Sequence, residues 1–169
     1  MRAGFLLVTI PALSVCLMCV VYLWWRRERI VRAWTRGVQA CERGEMDVAE
    51  AAFRLCVDQH PEWASARRML AHALVAREEY KGAEEQLRFA VRLEPKNVEG
   101  LFDLAIYLTN CPQALHDEAI DCIEKAIRID PASRRKAAKL EQLARLREYP
   151  RFQRLTGSNP TRAELARLN

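Results

Sequence analysis

Little in this chain is suited to chemistry. Three histidines, His60, His72 and His116, are scattered over 169 residues. None has a cysteine or carboxylate three or four positions further on, as a metal site on a helix would need. The six glycines nowhere gather into a loop that could cradle phosphate. Cys16 and Cys19 form a C-x-x-C pair, but in an apolar run with no cation to lower a thiol pKa. Cys41, Cys56, Cys111 and Cys122 lack metal-ligand spacing. Acidic pairs such as Glu78-Glu79 and Glu84-Glu85 belong to solvated helix faces, not to sites where burial would prepare a carboxylate for proton transfer. No catalytic residue, metal site or cofactor is expected, and the chain does not look like an enzyme.

Charge is unevenly laid out. The net charge is +5. Residues 26–40 carry five arginines against one acid, residues 41–131 eleven basic against eighteen acidic side chains, and residues 132–169 ten basic against three acidic. An acidic body is thus flanked by two basic zones. Nucleic acid is a poor partner for it, because only Tyr149 and Phe152 stand among the C-terminal cations to stack on bases.

The first 25 residues hold one charge, Arg2, and residues 3–25 hold none. Those 23 residues would make about 34 Å of helix, against a hydrocarbon core of about 30 Å. Tyr22, Trp24 and Trp25 stand where an aromatic belt would meet head groups. A cleaved secretory signal fits less well, since the apolar stretch is too long and no small-x-small site precedes the tryptophans. A single membrane-spanning anchor is the expectation. Arg26, Arg27 and Arg29 would then form a collar facing anionic lipid, with everything beyond in the cytoplasm by the positive-inside rule. A bacterial inner membrane is the expected location.

Residues 30–131 repeat one pattern three times. Aligned on Pro61, Pro95 and Pro131, the preceding segments present Ala49/Phe53/Cys56, Ala83/Leu87/Ala90 and Ala119/Ile123/Ala126. The prolines are 34 and 36 residues apart, a period characteristic of stacked helical hairpins. Helical stripes end at Gly44, at His60-Pro61 and at their counterparts further on, which predicts antiparallel pairs over 30–63, 64–97 and 98–131. The alternation of small with large apolar residues is what closely packed helices require. The longer third period is expected to come from a turn around Asn110-Cys111-Pro112-Gln113 extended by two residues.

These three segments resemble tetratricopeptide repeats. The small residues and proline of that repeat are matched by Gly37, Ala49, Cys56 and Pro61, then Ala71, Ala83, Ala90 and Pro95, then Ala105, Ala119, Ala126 and Pro131. The large positions match less evenly, with Ala33 and Arg67 where an aromatic is usual. The resemblance covers about three fifths of the chain and implies an all-α solenoid. Residues 132–156 are expected to cap it: a helix over 132–149 with Ala137, Leu140, Leu143 and Ala144 turned inward, then a closing segment through Phe152 and Leu155. Residues 157–169, with a capping box between Thr161 and Glu164, are expected to be a flexible tail.

The resemblance also implies where a partner would bind, because the first helix of each pair lines a groove. Trp34 and Val38, Arg68 and His72, and Phe102 and Ile106 are the candidate groove residues here. The lysine and asparagine with which some members clamp a C-terminal carboxylate are replaced by Trp34 and Val38, so that activity is not carried over. The expected function is a membrane-anchored adaptor that recruits or assembles a partner protein or peptide. The alternatives are a self-associating structural protein, that is a homo-oligomer, and a periplasm-facing accessory of secretion or cytochrome maturation.

Overall fold

The computed structural model describes the backbone of residues 4–157 and the side chains of residues 17–157. Among these residues the chain is all-helical: α1 (Gly4–Arg43), α2 (Met46–Gln59), α3 (Ala64–Ala76), α4 (Tyr80–Leu93), α5 (Val98–Asn110), α6 (His116–Ile129), α7 (Ser133–Lys139), a 3₁₀ segment (Glu141–Glu148) and α8 (Pro150–Thr156). Consecutive helices pack as the pairs α1/α2, α3/α4 and α5/α6, and each pair stacks on the next.

The prolines and the turns set the boundaries. His60, Glu94 and Asp130 each precede a proline and leave the helical region, with ψ of 80°, 73° and 103°. A proline ring clashes with a helical residue before it, so α2, α4 and α6 must stop there. Gly44, at φ +75°, turns α1 into α2. The third turn, residues 111–115, is two longer than the second, residues 77–79, and accounts for the longer period. Asn97 caps α5, its Oδ1 accepting from the Gly100 amide at 3.1 Å, a contact that stabilises by about 1 kcal/mol.

The core follows the repeated small and large residues. Ala49, Phe53 and Cys56 are buried, as are Ala83, Leu87 and Ala90, and Ala119, Ile123 and Ala126. Gly37 sits directly against the Phe53 ring. Across the stack, Arg88 of α4 donates to both oxygens of Glu118 on α6 and to Glu84 at 2.8 Å. The Glu118 partner outweighs desolvation and holds the Arg88 pKa above its ordinary value. Arg77, at the end of α3, reaches Glu50 of α2 at 2.9 Å. The half-exposed Arg88 bridge aligns the pairs more than it stabilises them, while Glu50 is buried beneath its arginine.

The C-terminal cap departs from the single helix expected. After α7 the chain kinks at Leu140 (ψ 119°) and continues as the 3₁₀ segment. Leu140, Leu143 and Leu146 are spaced by three, and three residues per turn put them on one face. Leu143 and Leu146 are fully buried while Ala144 is exposed, so Leu146 fills the inward place expected for Ala144. The closing segment folds back: Phe152 is fully buried, and Arg151 pairs with Asp121 at 2.7 Å and Glu124 at 2.5 Å on α6. The tail beyond Gly157, with its Thr161 and Glu164, lies outside the described residues.

The expectation of a single-pass membrane protein requires correction. No helix among the described residues is long and apolar enough to cross a membrane. Residue 3 and the side chains of residues 4–16 lie outside the description. The membrane location and the lipid-facing collar fall with that expectation. Arg26 instead packs α1 on α2, its guanidinium donating to the Gln59 side chain at 3.1 Å and to its carbonyl at 3.4 Å. Arg29 lies over the Trp25 ring at 4.8 Å, and Arg27 borders a shallow hollow with Leu23 and His60. Residues 20–25 remain an exposed apolar stretch on a helix that continues unbroken into the first repeat.

Candidate functional site

The face made by α1, α3 and α5 divides into three unequal parts. At the α1 end, Trp34 is half-buried, stacked on Trp63 with ring centroids 4.7 Å apart and edge-on to Phe53 at 5.5 Å. Val38 is half-buried against the core beside it. Both residues serve mainly to pack α1 onto its neighbours.

At the α5 end, the chain's own cap covers the face. Phe102 is 2 % exposed, with the Lys136 ammonium 4.6 Å above its ring. Asn110 donates to the Gln142 carbonyl of the 3₁₀ segment at 2.9 Å. Thr109 is buried and bonds back to the Ala105 carbonyl at 2.7 Å. The expected role of Phe102 as an open groove residue is therefore corrected: the cap occupies the place a ligand would take.

The middle is open. A cavity of about 200 Å³ lies between α3, the start of α4 and α5. His72 and Val75 form one wall and Ile106 and Tyr107 the other, with Tyr80 and Asn110 at its end. The Tyr107 hydroxyl donates to the Tyr80 carbonyl at 2.7 Å. Burial pushes its pKa up to about 12, and the nearby Glu84 charge adds to the effect. The phenol stays neutral and fixes where α4 starts against α5.

One edge of this cavity is ionic. Arg68 Nε donates to Asp103 Oδ2 at 2.6 Å, and both terminal nitrogens reach Glu99 Oε2 at 3.2 Å. His72 Nε2 stands 3.4 Å from the same Asp103 oxygen. Burial alone would raise the Asp103 pKa; hydrogen bonds and charge from His72 and Arg68 outweigh it and hold the carboxyl below its ordinary 3.8. The Arg68 guanidinium is thus already engaged. Two carboxylates face one permanent cation, so this edge offers acceptors rather than a free positive charge.

Of the six groove candidates, the structure gathers His72 and Ile106 at the cavity, with Arg68 bonded to its Asp103 edge. It leaves Trp34 and Val38 at the α1 end and Phe102 under the cap. Tyr107 and Asn110 are residues that sequence reasoning missed, as is the pairing of Asp103 with Arg68. Asp103 lies 35 positions beyond Arg68, close to one repeat, and equivalent positions of adjacent repeats become neighbours when helix pairs stack. That spacing is the signal that could have found it. Among the described residues no group of three His, Cys, Asp or Glu side chains is placed to hold a metal ion.

No protein-family model matches the chain, and no curated protein matches its sequence. Its fold is shared with solved structures. A crystal structure of MamA superposes with a TM-score of 0.63 at 19% identity, covering 76% of this chain and 72% of that one. The TPR2B domain of yeast Sti1, in a complex with pHsp70, gives 0.60 at 15% identity over 78% of this chain and 98% of that one. The first TPR of Spaghetti (RPAP3), bound to the HSP90 peptide SRMEEVD, gives 0.57 at 14% identity over 78% and 93%. Identities this low speak for architecture alone. The described residues have a solenoid fold of the tetratricopeptide type.

Proposed function

We propose that the chain is a protein-binding adaptor. Its α3–α5 face takes a short partner segment that puts one apolar side chain into the cavity between His72, Val75, Ile106 and Tyr107. The cavity carries this reading: it is the open, apolar part of the face, about 200 Å³ in volume, with an acceptor-rich edge at Asp103 and Glu99. That volume suits an aliphatic side chain, and the edge suits a segment whose neighbouring groups donate hydrogen bonds or carry positive charge. The fold shared with the peptide-bound repeats of Sti1 and Spaghetti supports the mode of binding, while the engagement of Arg68 points to a partner other than an acidic tail.

The test is site-specific photo-crosslinking in living cells from positions 72 and 75, with position 85 on α4 as a control. The expected result is one partner captured from both positions, absent from the control and lost on Ile106→Asp. No product from either position, or a product that Ile106→Asp leaves unchanged, would refute the reading.

A further inference from the structure

The two ends of the helical stack are finished differently. The C-terminal end is closed by α7, the 3₁₀ segment and α8. At the N-terminal end a groove of about 460 Å³ runs between α1 and α2 on the side away from α3. Its floor is apolar, formed by Val48, Ala51 and Leu55, and its α1 edge carries Arg29, Arg32 and Arg36.

The same face of the later repeats shows what this groove is not. Thirty-four residues beyond Arg32 and Arg36 stand Ala66 and Leu70, both buried by the first pair. One repeat further, Gly100 and Leu104 are buried as well. Where a helix pair stacks on this face, the edge is therefore apolar. In the first repeat the floor is apolar but the edge is arginine. Another hairpin stacked here would strip water from guanidinium groups without offering them partners, which is costly. A second copy stacked end-on fits no better, because its far end presents Arg134, Arg135 and Lys139 in exposed positions and would bring like charges together.

The arginines are also available. Among the described residues Arg29 has only the Trp25 ring, and Arg32 only Glu28 on its own helix at 3.2 Å. Arg36 makes no hydrogen bond or ion pair among the described residues. Asp47, the carboxylate on the groove wall, is engaged by Arg77 of α3. Spacings of three and four place the three arginines in one row along α1.

We infer that this groove is a second docking site, for an acidic amphipathic helix of a partner protein. Aliphatic side chains of that helix lie on Val48, Ala51 and Leu55, and carboxylates one turn apart meet Arg36, Arg32 and Arg29. With the α3–α5 cavity the chain then holds two partners of opposite charge preference on separate surfaces.

The probe is a fluorescein-labelled helical peptide with leucines on one stripe and glutamates on the adjacent one. A matched peptide has lysine for glutamate, and binding to the full chain is read by fluorescence anisotropy. The glutamate peptide is expected to bind, the lysine peptide not to. Arg32→Glu/Arg36→Glu should weaken binding by about tenfold or more, and raising salt from about 50 to 300 mM should weaken it too. Ala51→Trp, which fills the groove and keeps every arginine, should also abolish binding while circular dichroism stays unchanged. Equal binding of the two peptides, or binding that survives Ala51→Trp, would overturn the assignment. So would loss on Ile106→Asp with the arginine variant unaffected, because the peptide would then sit in the α3–α5 cavity. Sedimentation showing a dimer that Arg32→Glu/Arg36→Glu dissociates would give the groove to a second copy and overturn it as well.

Discussion

Gly37→Ala sets two well-measured effects against each other in one place. In the interior of a helix, alanine is favoured over glycine by about 1 kcal/mol, because it has less backbone freedom to lose. At position 37 the added methyl would stand 2.7, 2.8 and 3.0 Å from Cε1, Cζ and Cδ1 of Phe53. Carbon atoms prefer about 3.5–4.0 Å, so the ring must retreat by about 1 Å. It has nowhere to go: Phe53 is fully buried and already meets the Trp34 ring edge-on. Overpacking of this kind costs about 1–3 kcal/mol, so the gain is cancelled or outweighed and a net loss of up to about 2 kcal/mol is expected. In a Phe53→Leu background the wall is gone, and the same substitution should stabilise by up to about 1 kcal/mol. Urea unfolding of the four proteins, followed by circular dichroism, gives the coupling directly, and its expected size is about 1–3 kcal/mol. If Gly37→Ala stabilises equally in both backgrounds, Phe53 is not the obstacle and the account of this helix contact is wrong.

Phe152→Ala removes the fully buried ring of the closing segment and should cost about 3–5 kcal/mol. Hydrogen exchange should show the loss in α7 and α8 before α3 and α4; uniform loss would contradict a separately held cap. Asp103→Asn replaces the half-buried charged partner of Arg68 with a neutral amide, while Glu99 stays in place, and should cost about 1 kcal/mol near neutral pH. Because the Asp103 pKa is lowered in the folded chain, its contribution is complete above the ordinary 3.8 and fades as pH falls below that value. The stability gap between wild type and variant should therefore close only in that acid range, and a gap that closes near neutrality would refute the assignment. With thiol reagents, Cys19 should react quickly and Cys56, Cys111 and Cys122 slowly. Burial pushes the Cys122 pKa up to about 11, so mass spectrometry of the partly labelled native chain should find Cys122 among the last to react.

The helix pairs were legible because their contacts leave little choice of residue. Gly37, Ala49, Ala83 and Ala119 stand where backbones approach, and Pro61, Pro95 and Pro131 stand where helices must stop. The cap was harder to read. Leu140, Leu143 and Leu146 suit a 3₁₀ turn as well as the face of an α-helix, and the difference rests on a kink at Leu140 that no single residue announces. The binding face was read through the side-chain types on α1, α3 and α5 taken separately. Whether Arg68 is free depends on Asp103, and whether Phe102 is open depends on Lys136; both partners come from other elements. The apolar N-terminal residues led to a membrane expectation that the described part of α1 does not meet.

That helix has a mechanical consequence of its own. α1 runs from Gly4 to Arg43 without a break, while its contacts with α2 begin around Arg26 and Ile30. The part before Arg26 would be about 33 Å long as a helix, and a tilt of about 10° about Arg26 would carry its far end some 6 Å. With no joint between this arm and the first repeat, whatever grips the arm also steers the stack. The angle at which the α3–α5 face meets its partner would then be set from the opposite end of the same helix.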